Sequence, residues 1–65
     1  MRYEVKIHHD EEGYSVWCPT LPGCWSEGDS EAEALVNIKD AIQEYVEAVR
    51  EYNKNEESRF VEVFA

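Results

Sequence analysis

The sequence has few basic residues, two cysteines and no long apolar segment. Six lysine and arginine residues stand against fifteen acidic residues, which gives a net charge of −9. A nucleic-acid-binding protein presents a basic patch, and because the chain has none we expect no direct nucleic-acid binding. No apolar run approaches the roughly 20 residues of a membrane span, and no signal peptide is visible. We therefore expect no membrane association and a cytoplasmic location.

The small size of the chain limits its core. The 65 residues allow one domain, residues 1–65, and a domain of this length buries only about 60% of the surface that its unfolded chain exposes. Small domains often gain stability from disulfides, a metal or self-association. Two cysteines are too few for a disulfide framework, and cytoplasmic thiols stay reduced. We therefore expect a homo-oligomer.

Alternating apolar and polar residues predict two strands near the N-terminus. The first strand covers residues 2–8 and the second covers residues 14–18, with a polar turn at residues 10–13. A four-residue loop of this kind is common in hairpins and sets the register of the pair. The predicted cross-strand pairs are Val5 with Cys18, Ile7 with Val16, and His9 with Tyr14.

A second turn leads into a third strand. The segment Leu21-Pro22-Gly23-Cys24 fits a type II turn, because proline favours the second position and glycine accepts the positive φ of the third. A loop over residues 19–23 places Trp17 opposite Trp25. The third strand ends at Gly28. Both hairpins then put the same set on the core face: Tyr3, Val5, Ile7, Tyr14, Val16, Cys18 and Cys24.

Two tryptophans lie together on the opposite face of this predicted sheet. Trp17 and Trp25 share that face with Lys6 and Glu27. An exposed aromatic pair surrounded by charge is typical of a protein contact, so we predict a partner-binding surface at these four residues. The alternative is a cross-strand pair that only stabilises the hairpin.

A long helix follows the third strand. Ser30 and Glu33 have the spacing of a capping box, and the helix is predicted to continue to about Tyr52, where Asn53 or Asn55 can end it in a left-handed conformation. Its apolar stripe consists of Leu35, Ile38, Ala41, Ile42, Tyr45, Val46, Val49 and Tyr52. A helix of this length spans about 34 Å, whereas the strands reach about 20–23 Å. We therefore predict that the overhanging end contacts a second subunit through Tyr45, Val46, Val49 and Tyr52.

Residues 60–64 are predicted to form a fourth strand. A right-handed crossover makes this strand parallel to the third, and the simplest sheet places it beside strand 1. The expected fold class is α+β with the order β-β-β-α-β. It combines an antiparallel three-stranded meander, a C-terminal strand parallel to strand 1, and one helix on one face.

No group of residues predicts catalysis. His8 and His9 point to opposite faces of a strand and cannot share a metal ion. Cys18 and Cys24 are best interpreted as small buried apolar residues. The carboxylates lie on turns and on the outer helix face rather than in a cleft. We expect no enzymatic activity, no metal site and no cofactor, with a metal-dependent hydrolase as the least favoured alternative.

The order of motifs resembles the HicB-like antitoxin family. The matching pieces are Asp10-Glu11-Glu12-Gly13-Tyr14, then Pro19-Thr20-Leu21-Pro22-Gly23-Cys24, Gly28-Asp29-Ser30, Glu33-Ala34-Leu35 and Ala41-Ile42. The resemblance implies a truncated relative of the ribonuclease H fold. It also implies an antitoxin of a type II toxin–antitoxin system, which neutralises a small basic toxin that degrades messenger RNA. The alternative is a stand-alone domain with a structural or regulatory binding role and no toxin. Full-length members often add a C-terminal DNA-binding segment, and the printed sequence shows none.

Overall fold

A three-stranded antiparallel sheet and one helix make up the fold. In the computed structural model, which describes residues 1–64, the elements are β1 (Lys6–Asp10), β2 (Gly13–Trp17), β3 (Trp25–Gly28) and α1 (Glu31–Asn53). The strand order in the sheet is β1-β2-β3. The α+β class, the meander and the single long helix are therefore confirmed. Ala65, the last residue of the predicted domain, lies outside the described residues.

The predicted registers of both hairpins are confirmed where the strands pair. Ile7 lies opposite Val16 and His9 opposite Tyr14, and Trp17 lies opposite Trp25. The first strand is shorter than predicted, because pairing begins at Lys6 instead of Arg2. The expected pair of Val5 with Cys18 is absent from the ladder. Cys18 precedes a proline, which has no N–H to donate, and the chain turns away there.

The turn before β3 has the predicted geometry. The Cys24 amide donates to the Leu21 carbonyl at 3.0 Å, and Gly23 has a φ of 80°. A second turn precedes it, in which the Leu21 amide donates to the Cys18 carbonyl at 3.1 Å. The Cys18 amide in turn donates to the Cys24 carbonyl at 3.0 Å, so the loop is held at its base.

The helix begins at a capped residue and packs closely on β3. Ser30 has extended backbone angles, and its hydroxyl accepts a hydrogen bond from the Glu33 amide at 3.1 Å. Behind this cap, Gly28 lies so close to α1 that an added Cβ would sit 2.6 Å from the Ala34 nitrogen. Ala34 is fully buried, although the predicted apolar stripe began one residue later. The buried core consists of Val16, Cys18, Cys24, Ala34 and Ile38.

The helix covers only part of the sheet. It packs on β3 and β2, and no Cα atom of α1 lies within 8 Å of a Cα atom of β1. Ile7 lies on the core face as predicted, opposite Val16, but the helix does not cover it there, and its side chain is 41% exposed. Tyr3 and Val5 do pack against the core, from the segment that precedes β1.

The C-terminal segment differs from the prediction. The residue that caps the helix C-terminus is Lys54, with right-handed angles (φ −60°, ψ −26°), and no non-glycine residue among residues 1–64 has a positive φ. The expected left-handed asparagine is therefore absent. Residues 60–64 form no strand in this structure, and Phe60 and Phe64 are 100% and 94% exposed. A strand forms only where a neighbouring strand accepts and donates its backbone hydrogen bonds, and among the described residues no strand lies beside residues 60–64.

Candidate functional site

The bare face of the sheet carries the four residues of the predicted partner-binding surface. Lys6, Trp17 and Trp25 are opposite one another on the three strands and form one row across the sheet. The next row on this face contains His8, Ser15 and Glu27. All four predicted residues, Lys6, Trp17, Trp25 and Glu27, are exposed. The structure thus places them on one surface, which we call the outer face.

The two indoles are available for contact. Trp17 is 40% exposed and Trp25 is 61% exposed. Among residues 1–64 the stacked aromatic pair is His9 with Tyr14, whose ring centroids are 4.0 Å apart with nearly parallel planes. Sequence analysis missed this stack, although its predicted register already placed the two residues opposite each other. A cross-strand ring contact thus supports the first hairpin, whereas Trp17 and Trp25 lie opposite each other across the second.

A side chain of the helix is hydrogen-bonded to the backbone of β3, behind the outer face. The Asn37 side-chain amide donates to the Glu27 carbonyl oxygen at 2.8 Å. This bond ties α1 to β3 and leaves the Glu27 carboxylate free on the other side. Lys6 Nζ lies 3.8 Å from Glu4 Oε2, a contact between two exposed side chains, which contributes little to stability.

An acidic cleft adjoins the outer face. It lies between the first turn, β3 and the start of α1, has a volume of about 620 Å³, and is lined mainly by polar groups. Its acidic residues are Asp10, Glu12, Glu27, Asp29 and Glu33. Glu27 therefore belongs to both surfaces. The sequence analysis did not predict that residues from the first turn, β3 and the start of α1 line one cleft.

A second groove is lined mainly by apolar residues. It has a volume of about 580 Å³ and runs between the N-terminal segment and α1. Its apolar lining is Met1, Tyr3, Val5, Leu35, Ile38, Ile42 and Val46. Sequence analysis missed this groove because it assumed that the helix and a fourth strand close the sheet. We call it the β1–α1 groove.

The four helix residues predicted to contact a second subunit differ in exposure. Tyr45 and Val46 are half-buried, and Tyr45 packs against the core. Val49 and Tyr52 are 44% and 85% exposed. Only the last two are therefore exposed, while Val46 lines the β1–α1 groove.

The groups considered for chemistry have structural contacts. His8 Nε2 lies 3.6 Å from Asp10 Oδ2 on the outer face, whereas His9 stacks on Tyr14. Cys18 and Cys24 are both buried and free. Burial, and to a lesser extent the neighbouring Cys18, raises the pKa of the Cys24 thiol. Within residues 1–64 no group of three or more His, Cys, Asp or Glu residues is placed to hold a metal ion.

Comparisons with known proteins agree on one family. The sequence model described as the HicB-like antitoxin of bacterial toxin–antitoxin systems matches residues 3–63. A UPF0150 protein of Thermoplasma acidophilum is 47% identical over 55 residues, covering 83% of this chain and 80% of its own length. A UPF0150 protein of Synechocystis is 49% identical over 48 residues, with 72% and 61% covered. No solved structure matches the chain.

One relative is named as an antitoxin. Antitoxin HicB 2 of Photorhabdus laumondii is 45% identical over 42 residues, which cover 65% of this chain but only 30% of that antitoxin. The similarity therefore concerns one part of a longer protein. Among the helices in residues 1–64, none is long and apolar enough to cross a membrane.

Proposed function

Because the chain belongs to the HicB-like antitoxin family, we propose that it is an antitoxin that binds and neutralises a small basic toxin, one that degrades messenger RNA. We propose the outer face as the contact site, because two exposed tryptophans lie there in one row with Lys6. The alternative is a domain with a structural or regulatory binding role and no toxin. A metal-dependent hydrolase is the least favoured alternative.

The outer face has the composition of a protein interface. Tryptophan is enriched among residues that dominate binding energy, and charged neighbours exclude water around it. Each indole buries about 150–250 Å² when covered, against about 800 Å² per partner in a standard interface. Since Trp17 is 40% and Trp25 61% exposed, the two have about 150–250 Å² left to bury and would supply about a fifth to a third of the contact area.

The acidic cleft indicates that the partner is a basic protein. Glu27 joins the cleft to the outer face, so one ligand can cover both. A net charge of −9 attracts a basic protein at long range and speeds association, an effect that salt screens. Binding at the outer face should therefore weaken as ionic strength rises.

We further propose a non-enzymatic, cytoplasmic homo-oligomer. The free buried thiols are compatible with a reducing compartment. The exposed side chains of Val49 and Tyr52 on the overhanging helix support self-association. We also propose that residues 60–64 form a strand parallel to β1, as in a truncated ribonuclease H fold, because the open β1–α1 groove is lined by Tyr3 and Val5 of the segment that leads into β1.

The test uses a small basic protein encoded next to this gene as the candidate toxin. We expect the double variant Trp17→Ala, Trp25→Ala to bind it at least 100-fold more weakly by calorimetry, since each such residue typically contributes a factor of about 30. The variant should also fail to restore growth when the toxin is expressed. Val36→Ala is the matched control, because Val36 is 60% exposed on the helix, close to the 61% of Trp25. Wild-type affinity in the double variant would place the contact elsewhere. The lack of any basic protein in the gene neighbourhood would favour the stand-alone domain.

A further inference from the structure

Within the part of the chain that the structure describes, β1 lacks both a neighbouring strand at its outer edge and a helix over its core-facing side. β1 is an outer strand in the order β1-β2-β3, so one row of its backbone N–H and C=O groups has no strand partner. Its core-facing Ile7 is 41% exposed, because α1 does not reach over this strand. An unpaired strand edge is a template for another strand. The β1–α1 groove therefore lacks both a strand and an apolar cover.

The C-terminal segment has the chemistry of the missing strand. Phe60-Val61-Glu62-Val63-Phe64 is rich in β-branched and aromatic residues, which favour strands. Its apolar side chains are 82–100% exposed in the structure. Five residues in a strand span about 16–17 Å, enough to run along Tyr3 to Ile7. The charged groups of the groove are Lys39, Glu47 and Arg50, so the segment's single acid, Glu62, would meet a locally positive wall.

In residues 1–64, the end of the helix lacks a left-handed residue that would turn the chain back beside it. Such a residue, most often glycine and sometimes asparagine, ends roughly a third to a half of helices. The connector 54–59 contains no glycine or proline, and Lys54 keeps right-handed angles. The chain is accordingly elongated: its radius of gyration is 14.7 Å and its longest extent is 46 Å, whereas a compact chain of this length has a radius of about 10.7 Å.

We infer that residues 60–64 of one copy pair with β1 of a second copy and fill its β1–α1 groove, and that the second copy does the same in return. The occupant of the groove is thus the C-terminal segment of a partner copy. This inference rests on the proposed pairing of residues 60–64 with β1 and does not depend on a toxin. The exchange is a closed, two-fold arrangement that leaves neither groove empty.

The exchange buries enough surface for a stable dimer. Two phenylalanines per segment bury about 300–500 Å², and the two segments together about 600–1,000 Å². The linings of both grooves lose a similar area, which brings the total into the range of about 1,200–2,000 Å² for specific interfaces. A single short strand on one groove would reach only half of that area.

The decisive measurement identifies which copy supplies the segment. Chains labelled with ¹³C are mixed with unlabelled chains, and a half-filtered NOESY spectrum records contacts between different copies. We expect contacts from the ring of Phe60 to the ring of Tyr3 and from the ring of Phe64 to the methyl groups of Ile7, and only between copies, because alternate residues of the segment face the groove. The same contacts within one chain would overturn the exchange but keep the strand pairing. No contact of residues 60–64 with Tyr3 would overturn both.

Matched variants test the energetic consequence by sedimentation. Phe60→Asp together with Phe64→Asp should weaken dimerisation at least 100-fold, whereas Glu62→Gln, between them on the same face of the strand, should leave it within about twofold. The helix content should not change, because the segment lies outside the core in the structure. A dimer that survives the double variant would overturn the inference. Failure of the toxin proposal would appear separately, as wild-type toxin binding by the outer-face variant with the NOESY contacts intact.

Discussion

Replacing Gly28 by alanine tests the closest contact between the sheet and the helix. The added Cβ would lie 2.6 Å from the Ala34 nitrogen, 3.0 Å from the Ala34 Cα and 3.0 Å from the Glu33 carbonyl carbon. All three are backbone atoms of α1, so no side chain can rotate to make room. The first turn of the helix must move away from β3, and the cap at Ser30 lies within the segment that has to move.

The loss of stability expected at Gly28 can be compared with that at a second glycine, Gly23. Gly23 has a φ of 80° but nothing within 4 Å of an added Cβ. Gly23→Ala therefore carries only the left-handed backbone cost, about 1 kcal/mol. Gly28→Ala carries the overpacking cost at the upper end of its usual range, about 3 kcal/mol. For a domain of this size these values correspond to losses in Tm of about 4–8 °C and about 12–24 °C.

Thermal and urea unfolding of both variants measure the difference. Because the obstructing atoms belong to the backbone, the double variant Gly28→Ala, Ala34→Gly should recover none of the lost stability. If Gly28→Ala is no more destabilising than Gly23→Ala, the close approach of α1 to β3 is wrong. Recovery in the double variant would show that the Ala34 methyl group, and not the helix backbone, is the obstacle.

The other predictions concern the helix cap and the buried thiol. Ser30→Ala should lower the free energy of unfolding by about 1 kcal/mol, because the Glu33 amide loses its acceptor; Ser58→Ala, at an exposed position outside the helix, should change it by less than about 0.5 kcal/mol, and equal effects would argue against the cap. The raised pKa of Cys24 means that the unfolded chain releases this proton at a lower pH than the folded chain, so stability should fall as the pH rises above about 8.5. Urea unfolding between pH 7 and 10 should show this fall in the wild type and a flatter profile in Cys24→Ala. Identical profiles would exclude a contribution from this thiol.

Local patterns predicted most of the sheet and the helix. The registers of both hairpins follow from the alternation of side chains and from the Pro22-Gly23 turn, since a slip of one residue would turn every side chain to the other face. The position of the two indoles on the outer face follows from the same register. The helix start follows from Ser30, whose side chain supplies the acceptor that the first turn lacks.

The errors share one cause, which is that they depend on where the helix lies over the sheet. Ala34 was missed because a small residue carries a weak hydrophobic signal, yet it is fully buried against Gly28. Ile7 was predicted to be covered, but the close approach at Gly28 draws α1 over β3 and away from β1. No spacing in the sequence specifies this lateral position.

The sequence alone determined which residues form strands 1 to 3 and the helix, and which faces they present, because alternation, turn chemistry and capping act between near neighbours. Tertiary structure alone decided that the helix sits to one side of the sheet. That position depends on contacts between backbones distant in sequence, and it leaves β1 with an open groove and an unpaired edge. Whether residues 60–64 form a strand depends on this unpaired edge, because a strand forms only where another strand accepts its hydrogen bonds.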